Sequence, residues 1–246
     1  MYKTAYLFLL LFSIVLVKVS AQDANTLLSD MDQIMFGPED REGTIKITLV
    51  NKSGKEKVRE ATMLQKGTDK KLFRYTLPES QAGIATLSLP GDIMWLYMPA
   101  LGKPKKISIL AKSQAFTGTD FSYEDMATTT YSSRYVPKLL STSDEGFELQ
   151  LTPINEKSHY SKIVVLLEKE YHYPIRMDYY NRGGKKFKEA TYTYRKTGKY
   201  WNAAKVIMSD LKKKHKTIIQ LTNVKFDQGL SDDLFKVENL KPANSN

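Results

Sequence analysis

Short segments typical of β-strands, most of them with alternating apolar and polar residues, run through most of this chain and limit what it can fold into. Such segments lie at 45–49, 57–64, 72–77, 84–89, 93–98, 105–110, 136–140, 147–151, 162–167, 175–180, 186–195, 205–211 and 217–224. Alternation with a period of two is typical of β-strands that have one buried and one exposed face. Turn sequences such as 51–54 (NKSG) and 181–184 (NRGG) separate neighbouring segments. The sequence therefore predicts an antiparallel sheet of about a dozen strands.

One segment near the N-terminus has the spacing of a helix instead. Apolar residues recur every three or four positions between Asp23 and Phe36. This spacing places them on one face of an amphipathic helix, and Gly37-Pro38 is a sequence at which helices end. The sequence therefore predicts one helix with a single apolar face.

The first 21 residues predict a secretory signal peptide. Lys3 precedes an apolar run at 5–17, and residues 19–21 (VSA) supply the small side chains of a cleavage site. A membrane anchor is the alternative, but the run is shorter than the ~18 residues that indicate a spanning helix. We therefore expect a signal peptide at 1–21 and one soluble domain at 22–246, located in the periplasm.

Composition excludes several classes of protein. The chain contains no cysteine, which rules out disulfides, a thiol nucleophile and cysteine-ligated zinc. Its formal net charge of +10 permits an anionic partner. The lysines are scattered without a recognition-helix pattern, so nucleic acid is not an expected partner. The tight clusters at 103–106 and 212–214 are expected to be solvated turn charges that protect sheet edges.

Two of the strand segments are apolar on both faces. They are 93–98 (IMWLYM) and 163–167 (IVVLL), and in each case something must cover the second face. Protein on both sides is one explanation, and a ligand is the other. A barrel of about eight strands fills its own interior with side chains, so a dozen strands leave space for helices, ligand or both.

Two motifs resemble a known family. Residues 94–107 (MWLYMPALGKPKKI) and 116–126 (FTGTDFSYEDM) are similar to the hallmark segments of LolA-like outer-membrane lipoprotein-sorting proteins. Arg74 ahead of residues 75–78 and the segment 231–235 (SDDLF) are compatible with the same family. The resemblance covers essentially the whole mature chain.

This resemblance implies both a fold and an activity. The implied fold is mainly β: a single-domain, unclosed antiparallel β-barrel, or half-barrel, with helices lidding the concave hydrophobic face. The implied activity is that of a periplasmic carrier, which binds the acyl chains of lipoproteins in a hydrophobic cavity for transfer toward the outer membrane. Its partners would be an acylated lipoprotein or lipid, an inner-membrane transporter complex and an outer-membrane acceptor, with no cofactor. The alternatives are a lipid-binding accessory protein of a membrane transport system and an enzyme acting on envelope lipids.

The residues expected to line the cavity come from the helix and from one doubly apolar strand. They are Leu27, Leu28, Met31, Met35, Met94, Trp95, Leu96, Tyr97 and Met98. Alternation along the strand places Trp95 and Tyr97 on one face and the other three on the opposite face, so only one set can face the cavity.

The acidic segment is expected to secure a lid rather than to perform catalysis. Ser122 and Asp125 have the spacing of a capping box at the start of a short helix, and Tyr123 and Glu124 lie between them. The three histidines have no partner at metal-ligand spacing, and no nucleotide-binding or hydrolase motif is present. We therefore expect no metal site and no enzyme activity.

Overall fold

The computed structural model describes residues 23–108, 111, 113–126 and 128–241. The predicted signal peptide lies outside the described residues. The helices are α1 (Ala24–Phe36) and α2 (Tyr131–Arg134). The strands are β1 (Asp40–Val50), β2 (Glu56–Lys66), β3 (Lys70–Leu77), β4 (Ala85–Leu89), β5 (Ile93–Tyr97), β6 (Lys105–Lys106), β7 (Tyr135–Thr142), β8 (Gly146–Pro153), β9 (Tyr160–Glu168), β10 (Pro174–Asn181), β11 (Lys186–Thr197), β12 (Tyr200–Asp210) and β13 (His215–Phe226). Short 3₁₀ turns occur at Glu79–Gln81, Pro99–Leu101, Phe116–Gly118, Asp232–Phe235 and Val237–Leu240.

All strands in the described part of the chain belong to one antiparallel sheet. Their order is β6-β5-β4-β3-β2-β1-β13-β12-β11-β10-β9-β8-β7. The two end strands, β6 and β7, are not paired with each other, so the sheet remains open. This confirms the predicted fold class, a mainly β, unclosed antiparallel half-barrel with helices. Each of the thirteen segments predicted as strands overlaps an observed one.

The predicted strand at 105–110 is shorter than expected. Within the described residues only Lys105–Lys106 pairs with β5, followed by one more bond from the Ile107 N–H to the Met94 carbonyl at 2.8 Å. Residues 113–126 lie against the concave face, and the next strand, β7, is at the opposite edge of the sheet. Lys105 and Lys106 are exposed on the edge strand, where charge discourages pairing with another sheet.

The main apolar core lies on the concave face. Helix α1 contributes Leu27, Leu28 and Met31, all of which are almost completely buried. They pack against inward residues of the strands from both halves of the sheet, such as Ile47 and Val165. Among the described residues, no helix is long and apolar enough to cross a membrane.

A second, smaller core covers the outer face of β4 and β5. Tyr97 is only 2% exposed and packs with Phe235 and Leu240, and Trp95 lies beside the same cluster. Phe235 and Leu240 belong to the two C-terminal 3₁₀ turns. Protein from the C-terminal segment therefore covers the second face of this doubly apolar strand.

Charged side chains cover the second face of β9. Val164 and Leu166 lie opposite Asp178 and Arg176 of β10 and are nearly buried. Arg176 Nε lies 3.5 Å from Asp178 Oδ2, and Lys186 Nζ lies 2.7 Å from Asp178 Oδ1. The aliphatic parts of such long side chains can cover apolar residues while their charged ends reach water.

We expect Phe235→Ala to destabilise the protein by about 3–5 kcal/mol, because it removes a large side chain from the outer core over Tyr97. The free energy of unfolding from urea denaturation is the measurement. Leu234→Ala is the matched control, since Leu234 lies in the same turn and is 38% exposed. Equal losses for the two variants would contradict the assignment of this outer core.

Candidate functional site

The concave surface contains most of the residues predicted to line a cavity. Met94 is buried in the main core, and Met35, Leu96 and Met98 are partly buried against it. Trp95 and Tyr97 point to the opposite face, as part of the outer core. Only the Met94, Leu96 and Met98 set shares a surface with α1.

Helix α1 occupies this surface and is attached to it by two aspartates. Both carboxylate oxygens of Asp32 accept 2.8 Å hydrogen bonds, one from the Tyr131 N–H and one from the Ser132 N–H, at the start of α2. Asp30 lies 2.9 Å from Nδ1 of His172 in the β9–β10 turn. The carboxylate of Asp32 is buried, so breaking its bonds to two amides is costly unless water replaces them.

A lid segment, residues 113–126, crosses the concave face and is attached to strands on both sides. On one side, the Tyr75 hydroxyl lies 2.5 Å from the Thr117 hydroxyl. On the other, Oδ2 of Asp120 accepts a 2.7 Å bond from the Thr217 hydroxyl and lies 2.7 Å from Nδ1 of His215. Its apolar residues Phe116, Phe121 and Tyr123 belong to the main core.

The acidic part of the lid segment has the bonding pattern of a capping box. The Asp125 N–H donates to the Ser122 hydroxyl at 3.1 Å, and the Ser122 N–H donates to Oδ2 of Asp125 at 2.7 Å. The predicted short helix is instead a single turn within the described residues, closed by the Met126 N–H and the Ser122 carbonyl at 3.2 Å. The other carboxylate oxygen of Asp125 accepts a 2.6 Å bond from the Tyr160 hydroxyl, which links the turn to β9.

Glu124 makes a further attachment to the sheet. Its carboxylate accepts a 2.6 Å bond from the Ser158 hydroxyl and a 3.1 Å bond from the His159 N–H. The carboxylates of Glu124 and Asp125 therefore close the turn and attach the lid segment to β9 and to the loop that precedes it.

A cavity of about 460 Å³ lies beside this turn. Its walls include Glu124, Arg134, Ser158 and His159. None of the nine residues predicted to line an apolar cavity contributes to it.

Buried tyrosines surround a methionine deep in the concave face. The hydroxyls of Tyr131, Tyr179 and Tyr192 lie 3.6, 3.5 and 3.4 Å from the sulfur of Met177. Burial raises the pKa of each of these tyrosines, so all three stay neutral at physiological pH. The sulfur is a weak acceptor, and this polar patch lies within an otherwise apolar wall.

Two interior cations were missed by sequence reasoning. Arg41 on β1 and Lys71 on β3 share the concave face, where burial lowers the pKa of Arg41 to about 10. Burial, followed by the positive charges of Arg41 and Arg134, lowers the pKa of Lys71 to about 7. A lysine at alternating spacing with Phe73 and Tyr75 was the available sequence signal. Without the strand register, this buried lysine could not be distinguished from the many strand lysines that are exposed.

No group of three or more His, Asp or Glu side chains within the described part of the chain is arranged to hold a metal ion. The apolar concave surface, over which α1 and the lid segment pack, is the candidate site.

A family model described only as "uncharacterized protein" matches residues 67–242 of the chain. No curated protein matches the sequence significantly.

Three solved structures share the fold. A domain of an outer-membrane lipoprotein-sorting protein from Vibrio parahaemolyticus is 27% identical, with a TM-score of 0.81 over 88% of this chain and 97% of that one. A DUF1329 family protein from Desulfovibrio piger is 24% identical, with a TM-score of 0.82 over 89% and 98%. A LolA superfamily protein from Nitrosomonas europaea is 23% identical, with a TM-score of 0.75 over 88% and 98%.

We expect Asp125→Ala to reduce stability by about 0.5–2 kcal/mol, because the Ser122 amide and the Tyr160 hydroxyl both lose their acceptor. Thermal unfolding measures the loss, and hydrogen exchange of the lid segment should become faster. Glu145→Ala, in the exposed β7–β8 turn, is the control. Unchanged stability and exchange in Asp125→Ala would contradict the attachment role.

Lys71 should make stability depend on pH. Its folded pKa of about 7 lies below its ordinary value of 10.5, so between these values the unfolded chain binds a proton that the folded chain lacks. The free energy of unfolding contributed by this group should therefore rise between pH 7 and about 10.5, and the destabilisation by the charged lysine should be complete below pH 7. Lys71→Met should flatten this rise and stabilise the protein at pH 6 by about 1–3 kcal/mol. Urea denaturation across this pH range tests both, with the exposed Lys138→Met as control.

Proposed function

Because this chain belongs to the family matched over residues 67–242 and has the fold of LolA-like outer-membrane lipoprotein-sorting proteins, we propose that it is a non-enzymatic periplasmic carrier of acyl chains. Its cargo would be an acylated lipoprotein or a lipid, accepted at the inner membrane and passed toward the outer membrane. The observation that carries the proposal is an open half-barrel whose apolar concave face is occupied by a short amphipathic helix.

The composition of the concave face supports this role. Met94, Leu96 and Met98 offer flexible aliphatic and thioether side chains beside Met31 and Met35 of α1. Methionine adapts to ligands of different shape, which suits acyl chains of variable length and packing. We propose that Trp95 and Tyr97, on the opposite face, have a structural role instead.

The energetics are sufficient for a carrier. Burial of one methylene contributes about 0.8 kcal/mol, so a chain of about sixteen carbons offers a gross gain near 12 kcal/mol. Ordering of the chain and the protein reduces this gain. An acyl chain of this length cannot cross water unaided. A carrier whose affinity included the full burial free energy would bind the chain too tightly to release it.

Helix α1 provides a way to reduce the net affinity. Leu27, Leu28 and Met31 are already buried against the sheet without a ligand, so an acyl chain must displace them or the lid segment. The bonds from Asp32 to α2 are then lost or rearranged. We propose that binding and release exchange α1 contacts for acyl contacts on one surface.

An accessory lipid-binding protein of a membrane transport system is the second candidate. In this role the same concave face would bind the lipid. The net charge of +10 suits association with anionic membranes or partners. Native mass spectrometry of protein from an envelope extract separates the candidates. Bound acylated polypeptide supports the carrier of lipoproteins, bound free lipid supports the accessory role, and turnover of added lipid would indicate an enzyme.

We expect the delipidated protein to bind a fluorescent fatty-acyl probe at micromolar concentration, and Leu96→Glu to weaken binding at least tenfold by placing a charge on the concave face. Fluorescence titration measures the affinity, and circular dichroism verifies folding. Val136→Glu, on the outer side of edge strand β7 where Val136 is 59% exposed, is the control. A folded wild type that binds no acyl probe would refute the proposed function.

A further inference from the structure

A polar row crosses the first half of the concave face. Arg41 on β1 lies opposite Gln65 on β2, and Gln65 lies opposite Lys71 on β3. Lys71 in turn lies opposite Ser88 on β4, whose partner on β5 is the core residue Met94. Since paired residues on neighbouring strands share a face, the whole row faces the interior. Strands are about 4.8 Å apart, so the Cα atoms of Arg41 and Lys71 lie about 10 Å from each other.

The two cations of this row have only uncharged acceptors. Nε and Nη2 of Arg41 both donate to Oε1 of Gln65, at 3.2 and 2.7 Å. Nζ of Lys71 donates to the carbonyl of Met126 in the lid segment at 3.2 Å. Within the described part of the chain, no carboxylate lies within 4.0 Å of either side chain. By contrast, Lys66 and Lys70, also near the sheet surface, both reach Asp232, at 3.1 and 2.9 Å.

Unpaired cations in this position destabilise the fold. Desolvation disfavours the charged form, and the positive field of Arg134 adds to the mutual repulsion of Arg41 and Lys71. Both side chains nevertheless keep part of their surface accessible, although Gln65 lies beside Arg41 and the lid segment lies over Lys71. Partial access in so embedded a position is expected where side chains border an interior space.

We propose that Arg41 and Lys71 form an interior site for the anionic group of the cargo, so that the protein prefers acyl chains that carry a carboxylate or a phosphate. This inference rests on the proposed acyl binding and specifies its substrate class. Gln65 holds the Arg41 guanidinium in position, and the guanidinium and ammonium groups supply charge-assisted hydrogen bonds to the anion. Met94 of the same row begins the apolar surface on which the acyl chain lies.

The site also connects cargo to the lid segment. The Met126 carbonyl is the acceptor that Lys71 uses, and a carboxylate or phosphate is a stronger acceptor than a carbonyl. By drawing the ammonium away from this carbonyl, an anion that binds Lys71 would weaken an attachment of the lid segment. Arrival of the charged group would loosen the lid over the same surface that the acyl chain must enter.

The experiment compares ligands that differ only in charge. Displacement of the fluorescent acyl probe from delipidated protein is measured with dodecanoate, dodecyl phosphate and uncharged dodecanol, each below its micelle-forming or solubility limit. We expect both anions to bind at least tenfold more tightly than dodecanol. The tighter of the two identifies the class of anionic group, and inorganic phosphate alone tests whether the site requires an attached chain.

Variants of Arg41 and Lys71 test whether these two cations cause the preference for anionic chains. Lys71→Met and Arg41→Met should lower the affinity for the anions toward that for dodecanol and leave dodecanol unchanged, whereas Lys138→Met should change neither. Equal affinity of wild type for charged and uncharged chains would overturn this inference and leave the proposed carrier function intact. Absence of binding by every chain would overturn the proposed function itself.

The pH dependence separates binding from a structural role. The charged groups whose fields reach Lys71 are Arg41 on β1 and Arg134 on α2, and both stay protonated at pH 6–9. Because the anion binds protonated Lys71, affinity should be constant below pH 7 and fall by up to about tenfold per pH unit above it. Lys71→Met should remove this dependence. A wild-type affinity for dodecanoate that does not change between pH 7 and 9 would contradict the role of Lys71.

Discussion

The pairing of β1 with β13 is the contact on which the rest of the structure depends. Residues from Arg41 to Val50 align with residues from Phe226 back to Lys216, and this ladder joins two meanders that are otherwise each built from local hairpins. Without it the sheet would divide into two halves, neither of which could curve around a helix. The pairing joins strands about 170 residues apart along the sequence, so loop-closure entropy opposes it. The apolar residues of both halves that pack against α1 offset that cost.

Helix α1 links the stability of this fold to its proposed function. The helix fills the concave face with Leu27, Leu28 and Met31, and its aspartates attach it to α2 and to the β9–β10 turn. An acyl chain would compete for the same surface. A ligand that replaces one set of apolar contacts with another keeps only the difference in free energy, which is how an apolar carrier can bind cargo and still release it.

The concave side contains more polar and charged groups than a stable apolar core requires. Tyrosine hydroxyls around Met177 and the cations Arg41 and Lys71 all lie on the concave side, where purely aliphatic residues would stabilise the fold more. Residues that lower stability without a structural benefit are expected at functional sites. In this chain they occur beside the lid segment, where the proposed binding would alter existing contacts.

The sequence by itself determined the local elements and the fold class. Period-two alternation located the strands, the spacing of Leu27, Leu28 and Met31 located α1, and Ser122 with Asp125 indicated a capping box that attaches the lid. These features are set by backbone geometry and neighbouring side chains. Only the tertiary structure decided that Met94 faces the concave side while Tyr97 packs under Phe235, since either face of an apolar strand can be inward. It also decided that Lys71 lies near Arg41, because strand register, rather than proximity in sequence, brings residues of β1 and β3 into one row.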